Sequence, residues 1–211
     1  MSKCLIITSY LEKKNSNFFD KSYFDYIICA DGGQYVAEAL NIMPNLIIGD
    51  FDSSKRPSIT DAFIVSLPKE KDLTDTDAAI GKAIEMGFRD ITILGGLGGR
   101  IDHTLGNIAL LDKYSKRHCN ISIMDSQNYM FLIENTTITV KKNSYKFLSL
   151  ISFSEKSTGV YIRGVQYPLT NATLTNSMTL GISNEIIENE ARIKVENGKV
   201  LIIFSKDVDK C

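Results

Sequence analysis

This chain has no tryptophan, only two histidines, and four cysteines without a single Cys-x-x-Cys spacing. His103, His118, Cys4, Cys29, Cys119 and Cys211 are too few and too scattered for the clustered nitrogen and sulfur ligands of a zinc site. Three of the cysteines lie in or beside apolar runs, where reduced cysteine acts as a small hydrophobe, so a reducing cytoplasm is expected. No apolar run approaches the roughly 18 to 20 residues of a membrane span. The run Cys4-Leu5-Ile6-Ile7 is too short for a signal peptide. Neither sign of charge is in excess: 24 Lys and Arg face 25 Asp and Glu. That balance gives no reason to expect nucleic acid or an anionic membrane as a partner, and any bound anion must be held by local groups.

The 211 residues, 44% of them hydrophobic, suffice for one large or two small domains with a sizeable core. The first half alternates short apolar runs with helical periodicity. Strands are expected at 3–9, 26–30, 46–49, 62–67, 90–94 and 120–125. Gln34 to Leu40 carries Val36, Ala39 and Leu40 on one helical face, and Ala79, Ile80, Ala83 and Ile84 mark a second helix. A third runs through Leu105, Ile108, Ala109 and Leu111. From about Met130 the helical period disappears and β-branched and polar residues alternate. Strands are expected near 136–140, 147–153, 159–163, 172–174, 191–195 and 200–204, with Asn197-Gly198 as a hairpin signal between the last two. The boundary is placed between an α/β domain, 1–128, and a small antiparallel sandwich, 129–211.

Four strand ends in the first half carry groups suited to metal or phosphate. Asp31-Gly32-Gly33 combines a carboxylate with glycines that admit a ligand to the backbone, or is a tight turn with Asp31 as a helix cap. Gly49-Asp50-Phe51-Asp52-Ser53 sets two carboxylates two residues apart; in extended chain both share one face, with Phe51 turned away. Such a pair suits Mg²⁺, which takes carboxylates together with substrate phosphates. Lys71-Asp72-Leu73-Thr74-Asp75-Thr76-Asp77 is a second carboxylate cluster, in which Thr74 and Asp77 have capping-box spacing. Gly95 to Gly99 holds four glycines able to present amides to phosphate, followed by Arg100, a planar donor fork, then Asp102 and His103. Asp102 could cap the following helix, and His103 could be a partly buried structural histidine or a ligand contact.

Together these segments resemble the thiamine pyrophosphokinase family along essentially the whole chain. The resemblance rests on Ala30-Asp31-Gly32-Gly33, Gly49 to Ser53, Lys71 to Asp75, Gly95 to His103 with Asn107, and Gly181-Ile182-Ser183-Asn184. It implies a Rossmann-like parallel sheet with helices on both faces, binding ATP, and a C-terminal antiparallel β-sandwich that helps to bind thiamine. It further implies a homodimer with active sites between subunits, and Mg²⁺-dependent transfer of pyrophosphate from ATP to the thiamine hydroxyl, releasing AMP. Family members often carry a tryptophan after a glycine of the second domain, where this chain reads Gly164-Val165-Gln166-Tyr167-Pro168-Leu169; Tyr167 is the aromatic on offer.

Under this reading Asp50, Asp52 and Asp75 hold Mg²⁺, with Asp72 supporting that shell or binding a second ion. Lys71, Thr74, Arg100 and the amides of Gly98 and Gly99 meet the phosphates, and Asp31, His103 and Asn107 contact nucleotide or order the strand tips. Asp75, Asp102 and His103 are the available proton acceptors, with Asp102 preferred because a metal-bound carboxylate is a poor base. Ser53, Ser183 and Asn184 face thiamine, or the last two serve a β-turn. The alternatives are a Mg²⁺-dependent nucleotide hydrolase, which would release AMP or phosphate without an acceptor, and a non-catalytic thiamine or nucleotide sensor.

Overall fold

The computed structural model describes residues 2–12, 18–51, 61–68 and 72–207 and separates into two compact units, Met1–Ser126 and Gln127–Cys211. Asp52, Ser53 and Lys71 lie outside the described residues. In the first unit, strands β1 (Lys3–Ile7), β2 (Tyr26–Ala30), β3 (Leu46–Gly49), β4 (Phe63–Ser66), β5 (Asp90–Leu94) and β6 (Asn120–Met124) alternate with helices α1 (Gly33–Ala39), α2 (Asp75–Glu85) and α3 (Ile101–Ser115). The strands pair in the order β4-β3-β2-β1-β5-β6, all parallel. Parallel strands covered on both faces need continuous apolar sequence. Leu5, Ile6, Ile7, Ile91, Ile93 and Leu94 accordingly have no exposed surface.

The helix expected over Gln34 to Leu40 forms, but its buried face differs. Gly33, Val36, Ala37 and Leu40 point inward and Ala39 is exposed. The helix begins one residue earlier, and the three- and four-residue spacing from Gly33 selects that stripe. Asp31 does not cap it: Gly32 is the N-cap residue, and Asp31 has left-handed backbone, φ 46°. At α2, Thr74 does cap, accepting a hydrogen bond from the Asp77 amide at 3.2 Å.

The second unit holds β7 (Asn128–Glu134), β8 (Thr137–Lys141), β9 (Phe147–Ser152), β10 (Lys156–Arg163), β11 (Leu169–Thr175), β12 (Glu190–Asn197) and β13 (Lys199–Ser205). Sequence periodicity misses β7, because Tyr129 to Ile133 is an unbroken apolar run rather than an alternation. Here β7, β13 and β9 pair antiparallel, as do β11, β10, β12 and β8. Ile133, Leu148, Leu150, Val200, Ile202 and Phe204 from the first set pack against Val160, Ile162, Leu174, Ala191, Ile193 and Val195 from the second. Each fully buried Ile or Leu contributes roughly 1.5–3 kcal/mol.

Asn197-Gly198 is not a hairpin. Strand β12 pairs with β10 and β8, whereas β13 pairs with β7 and β9, so the chain passes from one sheet to the other through Gly198. Its φ is 110°, and an added Cβ would lie 2.6 Å from Ser157 Oγ and 2.9 Å from Ser157 Cα. A two-residue signal that usually closes a hairpin here accommodates a sharp change of sheet.

Candidate functional site

The strand order β4-β3-β2-β1-β5-β6 reverses between β1 and β5, the position at which open α/β sheets bind ligands beyond their carboxyl ends. Two segments meet there. Thr8 follows β1 and donates from its amide and its hydroxyl to the Leu94 carbonyl, each at 3.1 Å. The Gly95–Gly99 loop follows β5, and Gly95, Gly96, Gly98 and Gly99 all have φ between 63° and 88°, a backbone that side chains with a Cβ rarely adopt.

Much of that loop's hydrogen-bonding capacity serves its own shape. The Gly95 amide donates to the Met124 carbonyl and the Gly96 amide to the Tyr10 carbonyl, both at 2.8 Å. The Gly98 amide donates to Thr104 Oγ1 at 3.0 Å. The expectation of a run of amides open to phosphate is therefore corrected: three of them hold the loop in place. Asn107, buried in α3, donates its amide nitrogen to the Gly96 carbonyl at 2.9 Å. Its carboxamide thus orders the loop. Tyr10 lays its ring along Gly98 and Gly99, where added Cβ atoms would stand 3.2 and 3.0 Å from ring carbons. Nothing in the local pattern marks Tyr10 or Thr104, because their partners lie on a different strand end or one helical turn away.

Arg100 and Asp102 project from the start of α3 with side chains 73% and 64% exposed, and they form a two-pronged pair of 3.1 Å (Nε to Oδ1) and 2.5 Å (Nη2 to Oδ2). Asp102 also accepts from the His103 amide at 2.9 Å. Arg100, not Asp102, occupies the N-cap position of α3. The guanidinium hydrogen bond holds the Asp102 carboxyl below its ordinary range and raises the arginine in turn. While so paired, Asp102 is a poorer proton acceptor than a lone carboxylate. His103 is exposed rather than partly buried, so the structural-histidine reading does not hold.

On the other side of β1, the tips of β2 and β3 touch. The Asp31 amide donates to the Ile48 carbonyl at 2.8 Å, and a Cβ on Gly49 would lie 2.9 Å from Asp31 Cα. Asp31 and the Gly49-Asp50 step are thereby neighbours. The extended geometry expected through Asp50-Phe51-Asp52 is not found: Phe51 has φ 54°, rare for a bulky residue, with its ring against the apolar cluster of Leu5, Ile7 and Val36. Such backbone strain concentrates at functional sites.

Asp75 opens α2, and the sequence reading misses what fixes that helix. The Asp77 carboxylate, 6% exposed, receives Lys113 Nζ at 2.8 and 2.6 Å and the Tyr114 hydroxyl at 2.6 Å. Its backbone amide caps onto Thr74, but its side chain does not return to the cap as a capping box requires. Burial and this hydrogen bond push the Tyr114 hydroxyl's pKa well up. Asp72 and Thr74 are exposed beside this turn.

In the second unit, Asn184 is buried, and its carboxamide is engaged with backbone. It accepts from the Tyr167 amide at 3.0 Å and the Glu185 amide at 2.9 Å and donates to the Tyr167 carbonyl at 2.7 Å. It therefore holds the Tyr167 segment in place. Tyr167 itself is 63% exposed. Ser183 is exposed in left-handed backbone, φ 57°, its amide donating to Ser149 Oγ at 3.0 Å.

Among the described residues, no three His, Cys, Asp or Glu side chains form a ready metal cage. Asp50 directly follows β3 and Asp75 opens α2, and carboxylate oxygens are the donor type that a hard cation takes together with phosphate and water.

Comparisons with known proteins agree over both units. A family model described as thiamin pyrophosphokinase, catalytic domain, matches residues 20–123, and one described as thiamin pyrophosphokinase, vitamin B1 binding domain, matches residues 135–200. The chain is 36% identical over 186 residues to thiamine pyrophosphokinase of Bacillus subtilis (strain 168), covering 85% of this chain and 87% of that one. It is 27% identical over 176 residues to thiamin pyrophosphokinase 1 of Caenorhabditis elegans, covering 79% and 71%. The crystal structure of thiamine pyrophosphokinase from Bacillus subtilis superposes with a TM-score of 0.87 at 30% identity, covering 98% of this chain and all of that one. With its parallel sheet, its sandwich and both family segments in sequence order, the chain belongs to the thiamine pyrophosphokinase family.

Proposed function

We propose that this chain transfers pyrophosphate from ATP to the hydroxyl of thiamine, giving thiamine diphosphate and AMP, with Mg²⁺ as the metal. The observation that carries the reading is the match of both halves of the chain, 20–123 and 135–200, to the two domains of one family. Asp50 and Asp75, with Asp52, are the proposed Mg²⁺ ligands, and Asp72 supports them. Bound there, the ion would neutralise charge on the transferred phosphates and polarise phosphorus toward the alcohol.

The remaining work is positioning and electrostatics. The loop held by Tyr10, Thr104 and Asn107 gives the triphosphate a fixed wall, with Gly98 and Gly99 closest to it. Arg100 and Lys71 meet its oxygens, and Asp31, Thr74 and His103 line the approach. Arg100 starts from its pair with Asp102. When the guanidinium turns to phosphate, Asp102 loses the partner that lowers its basicity and becomes able to take the alcohol's proton. Ser53 and Ser183 contact thiamine, while Asn184 sets the position of Tyr167, the aromatic offered to its rings. The protein acts as a homodimer in a reducing cytoplasm; three described cysteines that are free and buried suit that compartment.

The test is direct. Protein incubated with ATP, Mg²⁺ and thiamine releases AMP in step with thiamine diphosphate, and chelation of the metal stops both. AMP formed at the same rate without thiamine identifies a hydrolase and defeats the proposal, as does saturable binding without turnover.

A further inference from the structure

Strands β10 and β12 carry an alternation that leaves an unusual outer face. Val160 and Ile162 of β10, and Ala191, Ile193 and Val195 of β12, are buried in the sandwich core. The intervening residues point away. In the antiparallel register Arg163 stands opposite Arg192, and Tyr161 opposite Lys194. These four side chains line a concavity of about 330 Å³.

Like charges directly opposite on one sheet face destabilise it. Lys194 is partly compensated, since its ammonium pairs with Glu196 at 2.8 Å and lies 5.3 Å from the Tyr161 ring centre. Arg163 and Arg192 have no ion-pair partner among the described residues. The whole chain has a net charge of -1, so this concentration of cations is local rather than a property of a basic protein.

We propose that this concavity is a binding site for a diphosphate or triphosphate group, built entirely from β10 and β12. Two guanidinium groups borne on directly opposed residues and lining one concavity suit the oxygens of adjacent phosphoryl groups, because each can hold two oxygens in its plane. A multiply charged anion removes the Arg163–Arg192 repulsion. Lys194 supplies a third positive group at the rim, and Tyr161 forms the apolar wall. A nucleotide, thiamine diphosphate and free pyrophosphate share this chemistry.

The experiment uses the full chain, labelled with ¹⁵N and kept in chelator, titrated with inorganic pyrophosphate. Saturable shifts are expected at the Tyr161–Arg163 and Arg192–Lys194 amides and at both guanidinium groups. Each substitution, Arg163→Gln or Arg192→Gln, should weaken this binding by about tenfold or more, the usual worth of a hydrogen bond to a charged group. The double variant R163Q/R192Q should lose the shifts while its turnover is unchanged. Parallel titrations with ATP and with thiamine diphosphate identify the source of the phosphate by which saturates the face at the lowest concentration. The proposal is overturned if sulfate binds as tightly as pyrophosphate, which means an adventitious ion only. It is also overturned if these amides do not shift, or if the double variant changes from dimer to monomer, which would make the face a contact between copies.

Discussion

Arg100 and Asp102 show how a residue pair can be both a resting contact and a working part. The pair is exposed, so its effect on stability is small, but its effect on proton affinity is specific. Asp102 has its pKa lowered by the Arg100 hydrogen bond, and the ordinary value of such a carboxyl is 3.8. A depressed carboxyl favours the folded pair above the ordinary pKa and loses that contribution as pH falls through the lower, folded value. Arg100→Ala should therefore move the Asp102 carboxyl titration, followed by ¹³C resonance, up toward 3.8; an unchanged titration would show that Arg100 does not set it. The same variant should cost about 2 to 4 kcal/mol of transition-state stabilisation if Arg100 meets developing charge on phosphate. A loss of less than about tenfold in kcat/KM would place it outside the reacting centre.

At the scale of elements, α2 is secured through Asp77. Its carboxylate is buried, whereas the side chain of its partner Lys113 is 41% exposed, so loss of the pair leaves a lysine that water can reach. Asp77→Ala should destabilise the protein by about 2 kcal/mol, and Tyr114→Phe by about 1 kcal/mol. Denaturant melts of the two single variants and the double variant would give less than the sum, because the two side chains share one bond. Strict additivity would dissolve the network. The crossing at Gly198 makes a different demand. Gly198→Ala places a Cβ 2.6 Å from Ser157 Oγ in a backbone with φ 110°, and should cost about 1 kcal/mol or more. A thermal midpoint equal to that of the parent would contradict this account of the turn.

For the whole molecule, burial makes Cys4 and Cys29 reporters of folding. Desolvation pushes the Cys4 and Cys29 thiols up to about 12, so almost no thiolate exists at neutral pH and alkylation needs an opening of the first unit's sheet. Iodoacetamide followed by peptide mass analysis should leave Cys4 and Cys29 unmodified in native protein and modify both in denaturant. Native labelling at the rate of a free thiol would mean that this core opens readily. No helix of the described residues is long and apolar enough to cross a membrane.

The sequence by itself determined the α/β order, the sandwich class and the segments following the strands that carry Asp31, Asp50, Asp75 and Arg100. Those depend on local signals: apolar periodicity, and glycine or aspartate where a strand stops. Only the tertiary structure decided which strand ends become neighbours, that β12 and β13 belong to different sheets, and that Tyr10 backs the glycine loop. It also decided that Asp77, legible as part of a helix start, reaches Lys113, 36 residues away. Such pairings depend on chain crossovers, and a short-range pattern carries no information about the partner. The face of Arg163 and Arg192 shows both limits: alternation put each arginine outward, but only the register of β10 against β12 set them opposite one another.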